Sequence, residues 1–224
     1  MIVGERMTAY INSLHPGNTE LLEQIEKEAR EQYVPIIRRE MQSFLKFLLK
    51  ALQPQRILEI GTAVGFSALL MSEYGPEGCA VTTIENYKKR IPIAKENFIR
   101  AGREKQIQLL EGDAAELLPE LCGSFDFIFM DAAKGQYIYY LPQVLRLLPP
   151  GGVLVSDNVL QDGDIIESRF AVERRNRTIH ARMREYLFEL THCEELTTSI
   201  LPLGDGVTVS VKSPGAEGME RNFK

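Results

Sequence analysis

The chain has 224 residues, 44% hydrophobic and 25% charged, which suits one ordinary globular domain with enough apolar material for a core. A formal net charge of −5 excludes a global basic field for nucleic acid, so any such surface must be local. Cys79, Cys122 and Cys193 lack C-x-x-C spacing and leave no disulfide frame or cysteine zinc site; with no apolar run of membrane-span length, the expected compartment is the cytoplasm.

Along the chain, Ile2, Val3, Met7, Tyr10, Ile11 and Leu14 recur at helical spacing until His15-Pro16-Gly17. Asn18 or Thr19 can cap a second helix with Leu21, Leu22, Ile25 and Ala29 on its apolar side. The run Glu23, Glu26, Lys27, Glu28, Arg30 and Glu31 is expected to be its solvated face. After a break at residues 33–37, a third helix is predicted over roughly 38–52. Residues 1–52 thus form a helical region ahead of the first strand, either a cover on a ligand site or a subunit interface.

From residue 56 strands and helices alternate, which predicts an α/β fold with a parallel sheet and helices on both faces. Strands are predicted at 56–60, 80–84, 107–110, 125–130 and 153–156. Residues 195–212 read as two more strands around the turn Pro202-Leu-Gly-Asp-Gly206. The expected organisation is one domain over 1–212, with its α/β core at 56–212. A Gly- and charge-rich tail, 213–224, is expected to be disordered.

The corner Ile57-Leu-Glu-Ile-Gly-Thr-Ala-Val-Gly-Phe-Ser-Ala-Leu69 reads as a buried strand, a glycine turn and a helix starting near Gly65. Such corners hold nucleotide-like ligands in open α/β sheets. The glycines do not follow G-x-G-x-x-G, and the acid Glu59 opposes a pyrophosphate while suiting a cationic ligand. That favours S-adenosylmethionine over a dinucleotide, with Glu59, Gly61, Thr62 and Ser67 as candidate contacts. Glu85, at the second strand end, is placed for ribose hydroxyls, and Asp113-Ala114 for an adenine edge.

Asp131, Asp157 and Asn158 are oxygen donors from adjacent strand ends, with no His or Cys, and suit a hard cation such as Mg²⁺. Judged alone, Asp157-Asn158 is also an ordinary turn after a strand. Lys134, three residues after Asp131, is the candidate base, although a surface lysine is the commoner fate of that residue type. Asp131 is counted with both the catalytic and the donor-binding residues. No Ser/His/Asp grouping competes, since His15, His180 and His192 adjoin no plausible nucleophile.

At this point the chain resembles the Mg²⁺-dependent class I O-methyltransferases of the catechol and caffeoyl-coenzyme A type. The motifs that carry the resemblance are Leu58-Glu-Ile-Gly-Thr-Ala-Val-Gly-Phe-Ser67, Gly112-Asp113-Ala114, Phe125-Asp-Phe-Ile-Phe-Met-Asp-Ala-Ala-Lys134 with Tyr137, Gly151-Gly-Val-Leu-Val-Ser-Asp-Asn158 and Leu201-Pro-Leu-Gly-Asp-Gly206. The resemblance implies a Rossmann-like, seven-stranded, mostly parallel sheet with an antiparallel last strand, and often a homodimer. It implies metal ligation by Asp131, Asp157 and Asn158, and a base at Lys134. The stretch Val159-Leu-Gln-Asp-Gly163 and the absence of Trp depart from the plant enzymes, so an aromatic clamp for catechols is not expected.

The run Asp-Ala-Ala-Lys-Gly-Gln-Tyr, residues 131–137, is similar to the bacterial branch that methylates 5-hydroxyuridine at the tRNA wobble position. The 5-hydroxyl and 4-carbonyl of that base offer the same vicinal bite as a catechol. Tyr137, Arg169, Arg174, Arg175 and Arg177 are candidate substrate contacts, the arginines for RNA phosphates. Arg182 and Arg184 follow, but the interleaved Glu167, Glu173, Glu185 and Glu189 also fit a plain solvated surface. Three readings therefore compete: methylation of tRNA, methylation of a small catechol-like or hydroxycinnamoyl thioester acceptor, and a non-catalytic adenosyl-binding module.

Overall fold

The computed structural model describes residues 3–214, so all but the first two residues of the expected disordered tail lie outside the described residues. Ser213, placed in that tail by composition, instead donates its N–H to Glu195 O at 2.7 Å.

Five strands pair in parallel: β1 (Arg56–Ile60), β2 (Ala80–Glu85), β3 (Ile107–Glu111), β4 (Phe127–Met130) and β5 (Val153–Ser156). The hairpin of β6 (Leu196–Leu201) and β7 (Val207–Lys212) completes one seven-stranded sheet of order β3-β2-β1-β4-β5-β7-β6. β7 inserts antiparallel between β5 and β6, as the resemblance implied for the last strand. β4 begins two residues later than expected, where the Asp126 carboxylate accepts the Gln55 and Arg56 N–H groups, each at 2.9 Å.

The central strands are apolar on both sides because helices cover both faces. Side chains alternate: Ile57, Phe127, Phe129, Val153 and Val155 join one core, and Leu58, Ile60, Ile128, Met130 and Leu154 the other. The first core is closed by α2 (Glu20–Glu31), α3 (Arg39–Leu52), α4 (Phe66–Tyr74) and α5 (Ile91–Arg100). The second is closed by α6 (Ala114–Glu120), α7 (Tyr137–Leu147) and α8 (Arg177–His192). The N-terminal helix α1 (Glu5–Leu14) packs on α3 and buries none of its own residues.

Two local expectations are corrected. Thr19 takes the N-cap position of α2, but its hydroxyl bonds to Glu73; the Glu23 carboxylate instead accepts the Asn18 N–H at 2.9 Å. Glu26, assigned to the solvated face, is 2% exposed and paired with Arg30 and Arg39. Packing of α2 against α3 turns that position inward, and a buried carboxylate is tolerable there because two guanidinium groups meet it.

Candidate functional site

A cavity of about 600 Å³ opens at the carboxyl ends of β1, β2, β4 and β5. From β1 the chain runs outward through β2 to β3, then crosses back to place β4 on the other side of β1, and ligands of open α/β sheets bind at such a switch point. The segment Pro35, Ile36, Ile37 and Arg38, just ahead of α3, forms a further wall. These four are the described residues of the N-terminal helical region that line the cavity.

One end is built on the turn after β1. Gly61 has φ 105°, and a Cβ there would stand 2.1 Å from the Asp131 carbonyl oxygen. Only glycine allows the β1 and β4 ends to approach so closely. Gly65, with φ 85°, caps α4 and donates to Thr62 O at 2.8 Å. Glu85 lines the cavity and accepts from Ala63 N at 2.7 Å and Tyr87 N at 2.8 Å, bracing the glycine turn against the loop after β2. Gly61, Thr62, Ser67 and Ala114 also line the cavity, with Tyr87 and Arg90, which sequence reasoning did not single out. Asp113 is exposed and caps α6 through Ala115 N at 2.9 Å, between Gly112 and Ala114, which both line the cavity.

Glu59 lies beneath the wall, wholly buried. The Thr83 hydroxyl, itself joined to that of Thr62, donates to Oε2, and Oε1 has no hydrogen-bond partner among the described residues. Burial pushes its carboxyl up to about 7, reinforced by the charges of Asp131 and Glu85 and opposed by the Ser67 and Thr83 hydroxyls. Its value as a fixed anion at neutral pH is thus less than the sequence suggested. A folded pKa above the unfolded value of 4.5 gives stability that is fully present below pH 4.5 and lost as pH rises through about 7. At 1.36 kcal/mol per unit, Glu59→Gln should remove on the order of 2–3 kcal/mol of the stability loss between about pH 5 and 8. Urea unfolding at both ends of that range tests this, and an undiminished loss in the variant refutes it.

At the other end Asp131, Lys134, Asp157 and Asn158 line the same cavity, as the strand ends predicted. Burial raises the Asp131 carboxyl to about 6 against the pull of Lys134. Burial, then the Asp131 charge, raises Asp157 to about 7, opposed by the Asn158 N–H and Lys134. Two carboxylates held together in this way are relieved by a cation between them. No group of three His, Cys, Asp or Glu suited to a metal ion occurs among the described residues, so a three-oxygen set depends on the Asn158 amide. Asn158 sits at φ 58°, the left-handed turn that asparagine tolerates. The donor chemistry therefore fits a hard divalent ion.

Tyr137, expected at the substrate, is fully buried. Its hydroxyl lies 3.1 Å from both Met130 O and Asp157 O and accepts from Ala132 N at 3.3 Å, tying the ends of β4 and β5 together. The candidate arginines lie outside the cavity lining. Arg169, Arg174 and Arg175 are exposed between β5 and α8, Arg175 pairing with Glu173 at 2.7 Å. Arg177 donates to Val172 O and Phe170 O, Arg182 to Gly135 O and Arg184 to Ile165 O, so these three fasten local backbone. Asp205 was missed: it is 6% exposed and lies 3.6 Å from Lys134 Nζ. Its signal was its place between two glycines in the motif that ends at Gly206.

The O-methyltransferase family profile matches residues 12–213. A catechol O-methyltransferase from Niastella koreensis is 38% identical over 128 residues, 55% of this chain and 58% of that one, less than two thirds of either. A caffeoyl-CoA O-methyltransferase from Populus kitakamiensis is 30% identical over 213 residues, 89% of both. Among solved structures, an SAH-bound methyltransferase from Podospora anserina is similar with a TM-score of 0.85 and 28% identity, over 94% of this chain and 95% of that one. The sheet is accordingly the Rossmann-like fold of those methyltransferases.

Proposed function

We propose a specific reaction for this chain, which belongs to the O-methyltransferase family: transfer of a methyl group from S-adenosylmethionine to one of two vicinal oxygens of an acceptor. The observation that carries this reading is that Asp131, Lys134, Asp157 and Asn158 share one cavity with Gly61, Glu85 and Ala114. Glu85 takes the ribose hydroxyls of the donor, and Gly112 and Ala114 border its adenine. That the Podospora anserina relative is SAH-bound supports an adenosyl donor. Asp131, Asp157 and Asn158 would hold Mg²⁺, which would supply Lewis-acid polarisation of the acceptor oxygens. Lys134, as the free amine, takes the acceptor's proton; the acceptor oxygen attacks the methyl carbon in line with sulfur, the S–CH₃ bond breaks and S-adenosylhomocysteine leaves. Alignment of the two reactants by the cavity walls contributes up to about 7–11 kcal/mol.

The acceptor assigned first is 5-hydroxyuridine at the tRNA wobble position. It is supported by the exposed Arg169 and Arg174 on the segment that follows Asn158, and by exposed Lys88 and Lys89 beside the lining residues Tyr87 and Arg90. A second reading, a small catechol-like or hydroxycinnamoyl thioester acceptor, is favoured by the names of the relatives. The test is the nucleoside profile of tRNA from a deletion strain: 5-hydroxyuridine replacing 5-methoxyuridine supports the first reading, and an unchanged profile rejects it. Purified enzyme assayed with EDTA tests the cation; turnover that survives chelation rejects it.

A second copy of the chain is assigned to the exposed side of α1, where Met7, Tyr10 and Leu14 are 56%, 62% and 64% exposed. Sedimentation equilibrium that shows a monomer at micromolar concentration rejects that assignment. Among the described residues no helix is long and apolar enough to cross a membrane, and all three cysteines are free. The latter supports a reducing compartment, the cytoplasm.

A further inference from the structure

Asp205 occupies the tight turn between β6 and β7, and its two carboxylate oxygens do different things. Oδ2 lies 3.6 Å from Lys134 Nζ, and Oδ1 accepts the backbone N–H of Asp162. The surrounding backbone is pinned to the loop after β5: Leu160 N–H donates to Asp205 O and Val159 N–H to Gly206 O, both at 2.9 Å. In that loop Gln161 and Asp162 both adopt left-handed φ, 51° and 52°, which persists only where neighbouring structure holds it. Arg38, from the N-terminal wall, reaches Asp162 Oδ1 at 3.3 Å. One buried carboxylate therefore joins the lysine, the loop and, through Asp162, the N-terminal wall of the cavity.

We infer that Asp205 is a positioning residue, holding the Lys134 ammonium to one side of the Asp131–Asp157 pair and fixing the adjacent cavity wall with the same carboxylate. This inference rests on the methyl-transfer reading above. Without Asp205 the ammonium is drawn toward Asp131 and Asp157, the place proposed for a cation. With it, the proton that Lys134 accepts forms an ammonium already facing an anion, as the orienting acid does for the base in a hydrolase triad. Aspartate meets both demands because it offers two acceptor oxygens. Asparagine offers one acceptor and one donor, so it satisfies either the Asp162 N–H or Lys134 but not both.

The test uses Asp205→Asn, which can keep the Asp162 bond and lose only the lysine. Turnover with catechol, and in parallel with RNA bearing 5-hydroxyuridine, should fall about 10- to 100-fold while donor affinity by calorimetry is unchanged. In a Lys134→Met background the same change should have no further effect, and independent, multiplicative losses overturn the inference. A readout without turnover is the NMR order of the Lys134 ε-methylene. It should be restrained in the wild type and released in Asp205→Asn to the mobility of Lys27, whose side chain is 77% exposed. If wild-type Lys134 is already as mobile as Lys27, Asp205 does not position it. If Lys134 is restrained and released as expected but the wild type methylates neither acceptor, the positioning contact stands and the reaction assigned to the site falls.

Discussion

Lys134→Met is expected to lower kcat for methyl transfer by about 10²- to 10⁴-fold, the range that removal of a positioned base produces. Methionine keeps most of the side chain's length and apolar stem, so the loss isolates the ammonium–amine group. Lys134 is 32% exposed on its side chain and lies at the same end of the cavity as Asp131, Asp157 and Asn158. Gly61, Glu85 and Ala114 mark the other end, where the Glu85 carboxylate bonds to Ala63 N and Tyr87 N rather than to Lys134. Donor affinity, measured by calorimetry, should therefore stay close to wild type, and KM for the acceptor should change less than kcat. Melting temperature is measured alongside, because the change also removes the ion-pair partner of the Asp205 carboxylate, whose side chain is only 8% exposed. A variant that retains near-wild-type turnover removes Lys134 from the mechanism.

Gly61→Ala is expected to cost upward of about 3 kcal/mol of stability and to abolish donor binding, a large effect for one methyl group. Two penalties combine. The residue sits at φ 105°, where an L side chain is strained, and its Cβ would lie 2.1 Å from Asp131 O and 2.8 Å from Asp131 C. Those are backbone atoms at the end of β4, held by the Asp131 N–H to Ile60 O bond at 3.0 Å. Relief of the clash must therefore spread the β1 and β4 ends, which moves the cavity floor and the Asp131 carboxylate together. Chemical unfolding and donor titration of the same preparation check both effects. A Gly61→Ala protein with wild-type stability and donor affinity would show that the close approach is not required.

Much of the α/β core is legible in the sequence. The runs expected as strands at 56–60, 125–130 and 153–156 are too short for helices and carry an acid within a residue or so of their ends, and each holds a central strand. Asp131, Asp157, Asn158 and Lys134 were legible for the same reason: residues just past parallel strands converge whatever their separation in sequence. The errors are also of one kind. Glu26 looked solvated because charge alone says nothing about which helix face meets a neighbour. Tyr137 looked like a substrate contact because its place beside Lys134 hid that its ring turns inward, where its hydroxyl meets three backbone groups.

The sequence by itself determined the alternation of strands and helices, the glycine turn and the chemistry at the strand ends. These follow from local periodicity, local backbone freedom and residue type, all of which are written in neighbouring positions. Only the tertiary structure decided that residues 35–38 wall the cavity, that Asp113 serves a helix cap, and that Asp205 meets Lys134 across 71 positions of chain. It also decided that Glu59 is sunk deep enough for its carboxyl to rise to about 7. Desolvation and long-range pairing depend on what the rest of the chain packs around a group, and no local pattern encodes that.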